Sequence, residues 1–169
     1  MIKKIVLILL LFVSLVYSQQ VFKSDTFSFE ITFPNGWDVK EGTTTLLAVI
    51  ANSGNFNNIN IVVKENESIG KVGVDDIDID KFKDELVSNY KEVFSNFKTI
   101  DYGKTTINSI NTLYFIYNCD IADQTLRAKQ YFLFNNTKMY VISTGCLDSE
   151  TSVYESVYSD CMNSFKFIN

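Results

Sequence analysis

The segment Phe27-Ser28-Phe29-Glu30-Ile31-Thr32-Phe33-Pro34-Asn35-Gly36-Trp37 sets four apolar side chains at every second position and then breaks on a turn. Successive side chains of a strand point to opposite faces. Phe27, Phe29, Ile31 and Phe33 therefore share one buried face, and Ser28, Glu30 and Thr32 the wet one. Pro34 presets its backbone for the second position of a turn, and Asn35 and Gly36 tolerate left-handed geometry. Trp37 and Val39 are then expected to start a returning segment.

The same period recurs downstream at Ile59, Ile61 and Val63, after a loop at Asn52-Ser53-Gly54-Asn55. Residues 46–51 are apolar throughout, as expected of a strand covered on both faces. After an exposed connection over 65–76 the period changes. Phe82, Leu86, Tyr90, Val93, Phe94 and Phe97 recur at spacings of three and four, which predicts an amphipathic helix capped by Asp78 or Asp80. Short strands over 100–102, 105–110 and 113–119 follow, separated at Gly103-Lys104 and Asn111. Residues 126–134 and 139–144 flank the hairpin loop Asn135-Asn136-Thr137-Lys138. A last helix over 151–164 puts Val153, Val157, Cys161 and Phe165 on one face. The order is strands, helix, sequential strands, helix. It predicts an α+β fold whose central, mostly antiparallel sheet is flanked by two main helices.

The 169 residues are 46% hydrophobic and 14% aromatic with a single Pro, which excludes a disordered chain and fits one domain with a real core. A formal charge of −5 disfavours nucleic acid as a partner. His is absent, which removes Ser-His-Asp, Cys-His and His-ligated zinc chemistry.

Lys3 and Lys4 precede an apolar run over 5–13 that continues through Leu15, Val16 and Tyr17 to the polar pair Gln19 and Gln20. This is the order of a secretory signal peptide, expected over residues 1–18 with cleavage after Ser18, followed by a single domain over 19–169. As a helix the run over 5–17 would span about 20 Å, short of the roughly 30 Å hydrocarbon core, so no stable membrane span is expected after cleavage. No Cys lies at the junction to carry a lipid. The expected location is secreted or periplasmic.

The opening strand, its Pro34-Asn35-Gly36 turn and Trp37 resemble the start of the PsbP-like proteins. Tyr131-Phe132-Leu133-Phe134, Lys138-Met139-Tyr140-Val141-Ile142 and the helix leading into Ser164-Phe165-Lys166-Phe167 follow in that family's order, so the resemblance runs over residues 27–167. It implies an α/β/α sandwich around an antiparallel sheet. It also implies binding to another macromolecule, as in the family's lumenal photosystem II subunit, its GTPase-binding nuclear-import factor and its exported DcrB-like bacterial members. Two departures narrow this. The photosystem subunit resembles this domain with a longer docking extension than residues 19–26 offer, and its proposed imidazole ligands have no counterpart here. The export signal argues against nuclear import.

Among candidate sites, Asp76, Asp78 and Asp80 have the spacing that opens a calcium loop. The sixth position, which requires Gly, is Lys81, and the twelfth, which requires Glu, is Val87, so this is not an EF-hand. Asp75, Asp76 and Asp78 are left as candidates for a weak calcium site. The alternative is that they favour the positive end of the following helix.

Cys119, Cys146 and Cys161 leave at least one thiol unpaired. Cys119 follows Leu113, Phe115 and Tyr117 on one strand face and Cys161 lies on a helical stripe, so a Cys119 to Cys161 disulfide and buried free thiols both remain open. Cys146 and Cys161 are separated by most of a helix, about 15 Å for ten residues, which is too far to bridge if Cys146 lies below its first turn. As a nucleophile Cys146 would need a helix N-terminus or a Lys in place of His. Gly70-Lys71-Val72-Gly73 is too short for a phosphate loop. Tyr114, Tyr117, Tyr131, Tyr140, Tyr154 and Tyr158 fit a core or a groove, and Asn66-Glu67-Ser68 and Asn135-Asn136-Thr137 fit the glycosylation sequon.

The expected function is thus an exported, non-catalytic binding module for an envelope or extracellular protein partner, with no cofactor and no catalytic residue. A small-ligand or calcium-binding protein is the alternative, and a hydrolase using carboxylates or Cys146 comes third.

Overall fold

Phe29, Ile31 and Phe33 are fully buried and Glu30 and Thr32 half-exposed, as the alternation requires. The computed structural model describes residues 19–65 and 73–168. The expected leader, the sequon at Asn66 and all of Gly70-Lys71-Val72-Gly73 except Gly73 lie outside the described residues.

The chain runs β1 (Gln20–Ser24), β2 (Phe29–Phe33), β3 (Asp38–Glu41), β4 (Leu47–Ser53), β5 (Asn57–Glu65), α1 (Ile79–Val93), β6 (Ser95–Ile107), β7 (Ile110–Ile121), β8 (Gln124–Asn135), β9 (Lys138–Leu147), α2 (Thr151–Ser164) and β10 (Lys166–Phe167). Seven strands form one sheet in the order β3-β4-β5-β9-β8-β7-β6, and β1-β2-β10 form a second, small one. All pairings are antiparallel. Both expectations, an α+β chain and a sandwich of helices around an antiparallel sheet, hold.

The large sheet separates two cores. On one face Ile59, Ile61, Leu133 and Ile142 pack under Phe29, Ile31 and Phe33 of the small sheet and under Tyr158, Cys161 and Met162 of α2. On the other, Leu113, Phe115, Tyr117 and Phe132 pack under Phe82, Leu86 and Tyr90 of α1. Each layer follows from the side-chain period of its own element, two for the strands and 3.6 for the helices.

Several local expectations are corrected. Pro34 opens the turn instead of occupying its second position: Trp37 N donates to Pro34 O at 3.4 Å, and Gly36 is left-handed at φ 82°. β1 was unforeseen, because its Val21 faces water at 62% exposure while its Ser24 is buried, reversing the usual pattern. β4 is not covered on both faces. A bulge between Leu47 and Val49 lets Ala48 and Val49 both join one core, and Ile50 stays half-exposed. Phe97 belongs to β6, since α1 ends at Val93. β6 runs unbroken through Gly103-Lys104 and β7 through Asn111, and the turn between them is Asn108-Ser109. Val153 of α2 is 66% exposed, and the buried helix residues are Tyr158, Cys161 and Met162. Among the described residues no helix is long and apolar enough to cross a membrane.

Candidate functional site

α1 begins at Asp78, whose Oδ1 accepts from the backbone N–H groups of Asp80 and Lys81, both at 3.1 Å. This cap satisfies donors that a helix N-terminus otherwise leaves unpaired. The helix then lies over β7 and β8. Phe82 meets Phe132 edge-on with ring centres 4.9 Å apart, and Tyr90 packs on Phe115 and Tyr117.

The sheet is wider than the helix, and beside α1 an open groove of about 540 Å3 runs over β8, β9 and β5. Its walls include Phe82 and Leu86 of α1, Val62 of β5, Phe132 of β8, and Met139 and Val141 of β9. A polar chain crosses it. The Tyr90 hydroxyl donates to Gln130 Oε1 at 2.6 Å, and Gln130 Nε2 donates to Ser143 Oγ at 3.1 Å. Burial pushes the Tyr90 phenol above its ordinary value, against the opposing pull of the Gln130 hydrogen bond, so the hydroxyl stays a neutral donor. Asn58 and Asn60 continue the polar line along β5. Apolar walls with a row of amides and hydroxyls suit recognition of a ligand. Cys119 borders the groove with its thiol pushed up by burial and by Asp120, which keeps it from acting as a thiolate.

Sequence reasoning missed this groove. Its signal is the other register of the strands, where Asn58, Asn60 and Val62 alternate with the buried Ile59, Ile61 and Val63. Gln130 and Ser143 sit directly opposite each other on β8 and β9.

The acidic candidates are employed locally. Asp78 caps α1, and Asp76 Oδ2 accepts from Gly73 N at 3.2 Å. Asp75 faces Lys104, which donates to its carbonyl oxygen at 3.1 Å, and Asn111, whose amide lies 3.5 Å from Oδ2. Among the described residues no group of three or more Cys, Asp or Glu is arranged to hold a metal ion.

All three cysteines are free and buried. Cys119 belongs to the core under α1 and Cys161 to the core under α2, on opposite faces of the sheet, so the disulfide between them is not formed. Cys146 lies at the foot of α2, and burial pushes its thiol up. Of the tyrosines, Tyr117, Tyr131, Tyr140 and Tyr158 are buried. The sequon at Asn135 occupies the hairpin between β8 and β9, with Asn135 paired to Lys138 and Asn136 left-handed at φ 52°.

None of the curated proteins matches this chain. The fold recurs in CyanoP of Synechocystis sp. PCC 6803, with a TM-score of 0.67 at 14% identity over 90% of this chain and 94% of that one. It recurs in LpqN of Mycobacterium tuberculosis, involved in cell envelope biogenesis, with a TM-score of 0.62 at 12% identity over 89% and 91% of the two chains. A protein of unknown function from Pseudomonas aeruginosa, PA94, gives 0.51 at 11% identity over 86% and 94%. The PsbP family model matches residues 18–167, from before the first strand to the last. With that match over nearly the whole chain, and the sandwich that the resemblance implies found in the fold, this protein belongs to the PsbP family.

Proposed function

We propose that this chain is an exported, non-catalytic binding module that holds an extended segment of an envelope or extracellular protein in the groove beside α1. The observation that carries the reading is the groove itself, where half-exposed Val62, Met139 and Val141 adjoin the row Asn58, Asn60, Gln130 and Ser143. An extended peptide offers backbone N–H and C=O groups to such a row and alternate side chains to the apolar walls. The Lys3-Lys4 leader signature supports export. LpqN, of the same fold and involved in envelope biogenesis, supports an envelope setting. The non-catalytic reading rests on the chemistry present: no imidazole, and thiols whose pKa values burial raises.

The test is a photo-crosslinking amino acid at Val141 in the groove, compared with one at Val153, exposed on α2, in the protein exported by its own source. One protein adduct formed from position 141 and absent from 153 is expected, and lost when Val62 is changed to Lys. Adducts of equal yield from both positions, or none from 141, would overturn the proposal.

A further inference from the structure

On the opposite face of the sheet, α2 packs Tyr158, Cys161 and Met162 into the core with Tyr154 and Val157 against it, and one polar edge of the helix lies beside that contact. There Thr151, Glu155 and Ser159 face a stripe of Ile116, Lys129 and Thr144, and a cleft of about 200 Å3 lies between them. The stripe follows from register, because Ile116 pairs with Lys129 and Lys129 with Thr144 on adjacent strands. A volume below the roughly 300 to 1,000 Å3 of drug-sized pockets suits a molecule of metabolite size.

The hydrogen-bonding inventory says which molecule. Arg127 is committed: it pairs with Asp148 at 2.9 Å and donates to Asn118 Oδ1. Lys129 is not. Its ammonium lies 4.9 Å from the Tyr131 ring centre and 5.4 Å from that of Tyr114, and among the described residues no carboxylate stands within 4.0 Å of it. Aromatic faces hold a cation in position without neutralising it. Three of the hydroxyl protons are spent: Thr144 donates to Lys129 O at 3.3 Å, Thr151 to Asp148 O at 2.9 Å and Tyr158 to Gly145 O at 2.5 Å. Those oxygens keep lone pairs that call for donors. At the mouth, the exposed Glu155 carboxylate has no cation within 4.0 Å among the described residues.

The cleft thus presents an unpaired cation, acceptor oxygens and an unpaired anion within one small volume. We propose that it binds a small zwitterion of the amino-acid class, with the carboxylate on Lys129 and the ammonium against Glu155 and the oxygens of Thr144 and Thr151. A phosphate dianion would leave the Glu155 carboxylate facing a second anion, and a metal cation would meet Lys129 and Arg127. The site is independent of the groove beside α1, which lies on the other face of the sheet.

The experiment is an NMR titration of the exported protein with the free amino acids one at a time. It is then repeated with the N-acetyl and the carboxamide form of any that binds. Saturable binding of at least one free amino acid is expected, with shifts centred on Lys129, Thr144 and Glu155. Each blocked form, and Lys129→Gln with the free form, should lose about tenfold or more in affinity, the order of a charge-assisted hydrogen bond. No saturable binding at millimolar concentration, blocked forms that bind as tightly as the parent, or shifts centred elsewhere would each overturn the proposal.

Discussion

Cys161 has its thiol pushed up to about 12 by burial and by the neighbouring Asp160, and burial likewise raises Cys119 and Cys146. Tyr140, whose hydroxyl donates to Phe27 O at 2.7 Å, is pushed up to about 12 by burial and by Glu65. A group whose folded pKa lies above its unfolded one contributes stability that is complete below the unfolded value and lost as pH rises toward the folded one. For Cys161 that loss begins near 9.0 and for Tyr140 near 10.0, and for both it extends to about 12. The fold is therefore expected to loosen over this alkaline range, with its melting temperature falling as tyrosinate absorbance appears. At neutral pH the same burial makes the native thiols inert. A colourless-to-coloured thiol reagent should titrate none of them in the native protein and all three after denaturation. A Cys119 to Cys161 disulfide in the purified protein would contradict their separation by the sheet, and fast labelling of the native form would contradict the burial of the thiols.

At the scale of elements, the hairpins explain why some boundaries were legible and others were not. The loop around Asn136 was read correctly because Asn tolerates the left-handed region. The turn Ala122-Asp123 between β7 and β8 went unread, since both residues are left-handed, at φ 49° and 61°, in a position where Gly or Asn is the usual signal. Asn108-Ser109, at φ 45° and 66°, carries only half of that signal. By contrast the helix over 151–164 was readable from spacing alone, although its buried face was rotated from the expected stripe because Tyr158 outweighs Val153 in buried area. The candidate site was the least legible part. A groove depends on which strands a helix leaves uncovered, and that is set by strand order, which no local pattern encodes. Ala122 also offers a measurement. A side chain at left-handed φ costs about 1–2 kcal/mol, partly offset by the chain freedom that Gly adds to the unfolded state. Ala122→Gly should therefore raise stability by about 0.5–1 kcal/mol in urea unfolding. A loss of stability would mean that the turn is relaxed as it stands.

At the scale of the whole molecule, two cores share one sheet. β8 contributes Phe132 to the core under α1 and its neighbours Tyr131 and Leu133 to the core under α2. A strand that serves both faces cannot leave one core without leaving the other, so the two are expected to unfold together. The single Trp allows this to be measured. Trp37 is buried in the core under α2, edge-on to Tyr158 with ring centres 6.2 Å apart, and reports on that side alone. Leu113 is fully buried on the opposite side, where truncation to Ala removes transfer energy and leaves a cavity, together worth about 2–5 kcal/mol. If the sheet couples the cores, Leu113→Ala lowers the urea midpoint of Trp37 fluorescence by the same amount as that of far-UV circular dichroism. If instead the Trp37 transition stays in place while the dichroism midpoint falls, the core under α1 melts by itself. The groove beside α1 would then open and close independently of the cleft under α2.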